Sequence, residues 1–160
     1  MTAVHLERTA TIHLKAPLAR VFPLFTPLGE KHWAADWNPR IDYPASGQPV
    51  VGAVFRTQHP GETEATWIVV QYSPETGLIS YARWLPNSHA GLITVQCRPV
   101  DNGVEHVATL ATVTYALTVL GEAGEQYLTQ LEESHYHAML MGWENAINHF
   151  LQHGEILPHH

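Results

Sequence analysis

The sequence predicts an α+β fold in which one long C-terminal helix lies across a curved antiparallel sheet and helps enclose a pocket. Three observations carry that prediction. The middle of the chain is a series of β-type segments parted by short turn signals, and consecutive strands joined by tight turns pair antiparallel. A long amphipathic helical pattern follows, from about Glu122 to His153. Before the series stand a single strand and two short helical segments.

The first strand reads from Leu6 to Leu14, with Leu6, Ile12 and Leu14 at even steps and Thr9 and Thr11 between them. Pro17 suits a first helical position. Val21, Phe22, Leu24 and Phe25 supply the apolar side of a helix that Pro23 makes either very short or distorted. Thr26-Pro27 ends it and begins a second short helix, through about Trp33. Pro39, Pro44, Gly47 and Pro49 then allow turns and at most a short edge strand.

Strands follow at about Ala53–Gln58, Glu64–Tyr72, Leu78–Leu85, Leu92–Arg98 and Val104–Leu117, for a sheet of about six or seven strands in all. Their separators are His59-Pro60-Gly61, Ser73 to Gly77, Leu85-Pro86-Asn87 and Asp101-Asn102-Gly103. The last is the sharpest, because Asn-Gly supplies the positive φ angles of a tight hairpin.

In the final helix Leu128, Leu131, His135, Met139, Gly142, Ala146 and Phe150 recur at steps of three and four. Glu132, Trp143 and His149 join the margins of this stripe, while Glu133, His137, Glu144 and Asn148 project to the opposite side. The helix spans roughly eight turns, enough to run most of the width of a sheet. Glu122 and Glu125 at its start suit the positive end of the helix dipole.

Composition narrows the function classes. The 160 residues fit one domain, and 45% hydrophobic against 14% charged marks a folded chain. Eight Lys+Arg against 15 Asp+Glu give a net charge of −7, and the basic residues are scattered. Such a field repels phosphate backbones and anionic membrane surfaces, so neither is an expected partner. No stretch approaches a membrane span, and Met1 to Lys15 holds no apolar run of signal-peptide length. One cysteine, Cys97, rules out an intrachain disulfide and fits a reducing cytoplasm.

Local motifs then point to a family. Ala16-Pro17 followed by Val21-Phe22-Pro23-Leu24-Phe25 resembles the "AP…VF…F" opening of the START-like, or SRPBCC, superfamily. Trp33 with Trp37-Asn38-Pro39 resembles its "W…WNP" segment, and Gly52 to Arg56 its "G..F" strand. Thr66 to Val69 and Pro74 to Tyr81 resemble the strand-turn-strand that follows. The likeness runs from about Thr9 to Leu151 and is carried by the order of these motifs. It implies a helix-grip fold, a single START-like domain over residues 1–160 with its core at about 6–153, and a pocket between sheet and helix. The superfamily includes polyketide cyclases, lipid carriers, hormone receptors and chaperone activators, so the resemblance implies a pocket and no particular activity.

Candidate chemistry is sparse. His135 interrupts the apolar stripe, where it could orient a ligand or act as general base with Glu132 orienting it, or instead be a core histidine bonded to the sheet. Gly142 either leaves room for a ligand or lets a sheet side chain approach. Met139 offers an adaptable surface to a ligand or is ordinary core. Trp33, Trp67 and Trp143 can line a pocket, as can Tyr81, Tyr115 and Leu131. Arg83 shares a strand face with Tyr81 and Trp84 takes the other, but sequence does not say which faces inward. An inward Arg83 would bind a carboxylate, phenolate or enolate, whereas an outward one would be a solvated charge.

Twelve histidines raise a metal reading. The Glu132/His135 and His149/His153 spacings place two ligands on a face, short of the three or four a site needs, and His159-His160 would collect metal only incidentally. No HExxH, CxxC, GxSxG or phosphate-binding loop is present, so no metal or cofactor is expected. Three functions follow in order: binding of a small, mostly apolar lipid, aromatic or polyketide-like ligand by a monomer or homodimer; a cyclase or dehydratase using His135 with Arg83 or Tyr81; and an interaction module of the chaperone-activator type.

Overall fold

The computed structural model describes residues 4–61, 63–101 and 107–158. Seven strands form one antiparallel sheet: β1 (His5–Leu14), β2 (Arg40–Tyr43), β3 (Val54–Thr57), β4 (Ala65–Ser73), β5 (Leu78–Leu85), β6 (His89–Asp101) and β7 (Val107–Val119). Their order is β1-β7-β6-β5-β4-β3-β2, a meander from β2 to β7 that β1 closes at the far edge. The helices are α1 (Leu18–Val21), α2 (Glu122–Gln130) and α3 (Glu133–His153). The α+β helix-grip arrangement is the one the sequence predicts.

Differences from the expected elements are local. Pro17 precedes α1 as its extended cap residue, and from Phe22 to Phe25 the chain tightens to a 3₁₀ turn around Pro23. The second short helix is only a 3₁₀ turn, Gly29–His32. β2 is the expected edge strand. β6 and β7 extend past their expected ends and pair from His89↔Val119 to Asp101↔Val107. The expected Asp101-Asn102-Gly103 hairpin turn lies outside the described residues.

The C-terminal helix is two helices. Leu131 (ψ 17°) and extended Glu132 (ψ 149°) interrupt it. No proline or glycine marks the break, which side chains stabilise from outside. Arg8 Nε donates to the Leu131 carbonyl at 2.8 Å, and His135 Nδ1 donates to the Thr129 carbonyl at 2.9 Å. These bonds satisfy carbonyls that a helix end leaves without partners.

The break also resets which face α3 buries. The deep residues are Tyr136, Leu140, Ile147 and Leu151, about one position on from the expected stripe. Met139, Trp143, Ala146 and Phe150 are half-buried along its margin. Tyr136 anchors the helix by donating its hydroxyl to the Val113 carbonyl at 2.6 Å.

Glu144 and Asn148, expected to face away, bind the free edge of β1. His13 N–H donates to Glu144 Oε2 at 2.8 Å and Lys15 N–H to Asn148 Oδ1 at 2.9 Å. Asn148 Nδ2 in turn donates to the His13 carbonyl at 3.0 Å. An edge strand exposes exactly such unpaired groups, and α3 covers them.

Candidate functional site

Between the sheet and the helices lies a cavity of about 220 Å³. Its sheet wall comes from alternate residues of neighbouring strands: Trp67 on β4, Tyr81 and Arg83 on β5, Ile93 and Val95 on β6, and Tyr115 on β7. Alternation sends every second side chain to one face, so Trp84 points outward and is 49% exposed while Arg83 is 8% exposed. Met139 and Trp143 of α3 contribute the opposite wall, along with Phe25, Glu30, Trp33 and Trp37 from the segment after β1. Tyr127 of α2 stands at one end and His59 at the rim.

Most of this lining is aromatic, and three of its four indole donors are already committed. Trp33 Nε1 donates to the Leu24 carbonyl at 2.8 Å, Trp37 Nε1 to the Pro27 carbonyl at 2.7 Å and Trp67 Nε1 to Thr57 Oγ1 at 2.9 Å. The rings brace one another edge to face, with centroids 5.6 Å apart for Trp37–Trp67 and for Trp33–Trp143, and 5.7 Å for Trp67–Tyr81. Tyr81 is equally committed, donating to the Phe25 carbonyl at 2.6 Å, and burial holds its pKa well above the ordinary value. These residues therefore present carbon faces to the cavity.

Besides the Trp143 indole and His59 at the rim, three polar groups remain. Arg83 lies between aromatic faces, its guanidinium carbon 4.9 Å from the Trp67 ring and 5.5 Å from that of Tyr127. Nη1 donates to the Tyr127 hydroxyl at 3.0 Å, and Nε has no partner. Tyr115 makes ring contacts to Tyr136 and Trp143, but its hydroxyl makes no hydrogen bond among the described residues. The third group is Glu30.

Glu30 is placed by the 3₁₀ turn. Its N–H donates to the Thr26 carbonyl at 3.0 Å, and its own carbonyl accepts from Trp33 and Ala34. Gly29 permits this tight packing, since a β-carbon there would collide with the Pro23 carbonyl. The Glu30 side chain is enveloped by protein and reaches solvent only in part, as a cavity-lining group. It has no hydrogen-bond or ionic partner among the described residues, and burial drives its pKa well above the usual carboxylate value. Charge also links the three: Glu30 raises the Tyr115 pKa while Arg83 pulls it down, beneath a larger upward push from burial.

His89 backs the cluster from outside the cavity. It stacks on Tyr127 at 4.3 Å, contacts Ser88 Oγ through Nδ1 at 2.8 Å and is 1% exposed. Burial, then the nearby Arg83 charge, lowers its pKa to about 4.

Of the residues singled out from sequence, Trp33, Trp67, Tyr81, Arg83, Tyr115, Met139 and Trp143 line this cavity. His135, Glu132, Leu131 and Gly142 do not. His135 is exposed and caps α2, so it cannot serve as a base acting in the cavity. Glu132 is exposed at the helix break, and Leu131 is 2% exposed within the packed core. Gly142 faces outward with nothing near its missing β-carbon, so it makes room neither for a ligand in the cavity nor for a sheet side chain. One cause underlies all four: the stripe was extrapolated through a helix that breaks.

Glu30, Trp37 and Tyr127 were not assigned to the site. Glu30 lies in a turn too short for periodicity to show a buried face, and Tyr127 lies off the expected stripe. A signal was available at Glu30, an acidic residue between Phe25 and two tryptophans. Among the described residues no three His, Cys, Asp or Glu side chains gather as a metal set, and no helix is long and apolar enough to cross a membrane. His149 and His153 lie side by side at 4.5 Å, and His159-His160 lie outside the described residues.

Residues 5–131 match the model of the family described as polyketide cyclase / dehydrase and lipid transport. Among curated proteins none matches the chain. Solved structures of similar fold include norcoclaurine synthase from Thalictrum flavum, with TM-score 0.64 and 14% identity over 94% of this chain and 88% of that one. Major latex-like protein 151 from Panax ginseng has TM-score 0.63 and 16% identity, over 96% and 99% of the two chains. An uncharacterised protein from Rhizobium leguminosarum has TM-score 0.57 and 21% identity, over 94% and 97%.

Proposed function

The chain belongs to the polyketide cyclase / dehydrase and lipid transport family, within the SRPBCC superfamily, and from that premise we propose that it binds one compact, mostly apolar, ring-shaped molecule between sheet and α3. The observation that carries the proposal is the largely aromatic lining, in which three of the four indole donors are used up on the protein's own backbone and Thr57. Such walls reward flat apolar surface and offer few hydrogen bonds to compete with water.

Size sharpens the class. A dry cavity of about 150 Å³ holds benzene. By proportion, the 220 Å³ here suits about nine non-hydrogen atoms. It falls below the roughly 300–1,000 Å³ of sites for drug-sized ligands. A one-ring or fused two-ring molecule therefore fills this space, and a longer ligand would have to extend out through its open side.

Titration with toluene and indole tests this, read by the fluorescence of the tryptophans in the cavity and by native mass spectrometry. One molecule should bind per chain, and Val95→Trp, which fills the sheet wall, should abolish binding. Binding that survives the filled cavity, or no binding by either arene, overturns the proposal.

Glu30 favours a second reading, catalysis. A carboxyl kept protonated above its ordinary range is suited to donate a proton, and the Tyr115 hydroxyl and Arg83 act on the same space. In that reading Glu30 is a general acid, whereas the sequence suggested His135 as a general base. If an arene-like substrate is turned over, Glu30→Gln should abolish turnover while leaving indole affinity within about threefold; unchanged turnover rejects it.

A further inference from the structure

Arg83 is the side chain whose environment the apolar pocket does not explain. It is 8% exposed and lines the cavity, and no carboxylate pairs with it among the described residues. Its Nη1 is satisfied by the neutral Tyr127 hydroxyl. Its Nε is buried without an acceptor, and Nη2 makes no hydrogen bond among the described residues. A buried charge is normally paired, because leaving it unpaired costs several kcal/mol.

The same chain shows what this edge of a guanidinium binds. Arg56 uses Nε and Nη2 together, holding Asp42 Oδ2 and Oδ1, each at 2.8 Å. That side-on fork matches the two oxygens of a carboxylate. In Arg83 neither nitrogen of that edge meets a protein oxygen among the described residues, and because Nε is closed off from any water-sized group, Nη2 is the nitrogen left to meet a ligand. The rings of Trp67 and Tyr127 lie against the guanidinium, so its position is held before any ligand arrives.

We propose that the cavity's ligand is a compact aromatic monoanion, a carboxylate of about nine non-hydrogen atoms, with a charged oxygen on Nη2 of Arg83. The ring lies among the tryptophans. Glu30, the acidic residue of the same lining, makes no ion pair with Arg83 among the described residues, and burial makes its carboxyl harder to ionise. Both the Tyr115 hydroxyl and protonated Glu30 can donate to a further oxygen on the ring. The proposal deepens the pocket reading above and depends on it.

Benzoate and benzamide separate the two. They share shape and size and differ in charge, and indole reports on the pocket alone. At about neutral pH benzoate should bind about tenfold or more tightly than benzamide, the difference that a charge-assisted hydrogen bond supplies. Arg83→Met, which keeps the stem without the charge, should erase that preference, and Arg83→Lys should keep only part of it. If benzoate binds no better than benzamide while indole binds, the anion assignment falls and the pocket stands. The assignment also falls if the preference persists in Arg83→Met. If none of the three binds, both fall. Should Arg83→Met not fold, the benzoate–benzamide comparison in the unaltered protein still decides.

Discussion

Acid should destabilise this protein through His89, and the size of the effect follows from where the ring sits. It is 1% exposed, stacked on Tyr127 and near the Arg83 charge, and its pKa falls from 6.5 to about 4. In the unfolded chain the imidazole takes up a proton below its ordinary value, whereas the folded ring does not until about pH 4. Between those values the unfolded state binds more protons, so stability falls as pH drops. The contribution is full above about pH 6.5. At about 1.4 kcal/mol per pH unit the ceiling is about 3 kcal/mol. The exposed turn at Asn87 brings solvent close, which reduces the expected value to about 2 kcal/mol.

His89→Gln isolates the effect, because glutamine is polar but does not titrate. Losing the stack on Tyr127 lowers stability by the same amount at every pH, so only the slope is diagnostic. Subtracting the variant's curve from that of the unaltered protein also removes Glu30, whose raised pKa acts with the opposite sign: the folded chain holds that proton longer, so its contribution falls as pH rises above 4.5. Urea unfolding followed by far-ultraviolet circular dichroism, from about pH 7 to about pH 4, supplies the two curves. The variant should lose about 2 kcal/mol less than the unaltered protein over that interval. Parallel curves would refute the assignment of a neutral buried imidazole.

Three further outcomes test the packing. Gly142→Ala should stabilise the fold by about 0.5–1 kcal/mol in chemical denaturation, since the site is helical and open around the added carbon; a loss would mean that the position is confined. Asn148→Ala should cost about 1–2 kcal/mol and speed hydrogen exchange at the Lys15 amide, because both its bonds to the β1 edge disappear. A cost under about 0.5 kcal/mol, as at an ordinary surface site, would contradict that role. Cys97, 1% exposed and with its thiol pushed up to about 12, should label with a thiol reagent only on unfolding; rapid labelling of native protein would show that the strand is not buried as described.

What the sequence by itself determined was the frame. Strand alternation such as that from Glu64 to Leu85, turn residues such as Ser73 to Gly77 and the helical pattern toward His153 specified an antiparallel sheet of about six or seven strands and a C-terminal helical segment, because each is a local property of neighbouring side chains. The sheet-wall residues of the lining were legible for the same reason: Trp67, Tyr81 and Arg83 lie at alternating positions on paired strands, so once one faces inward its neighbours on that face do too. Which face that was came only from the fold, where the helices cover one side and leave Trp84 outside.

The tertiary structure alone decided the polar part of the site. The break at Leu131 and Glu132 is held by Arg8, more than a hundred residues away, and by His135 itself. A periodicity carried through that point therefore placed His135 where a ligand would be, while the reset helix turned it to solvent. At Glu30 the aromatic neighbours are visible in the sequence, but its burial is not, for the converse reason. A four-residue turn has no face of its own, and what buries Glu30 is the sheet that closes beneath it. Local chemistry writes the elements, but the burial of a charge, and with it any chemistry in this cavity, is a property of elements brought together from across the chain.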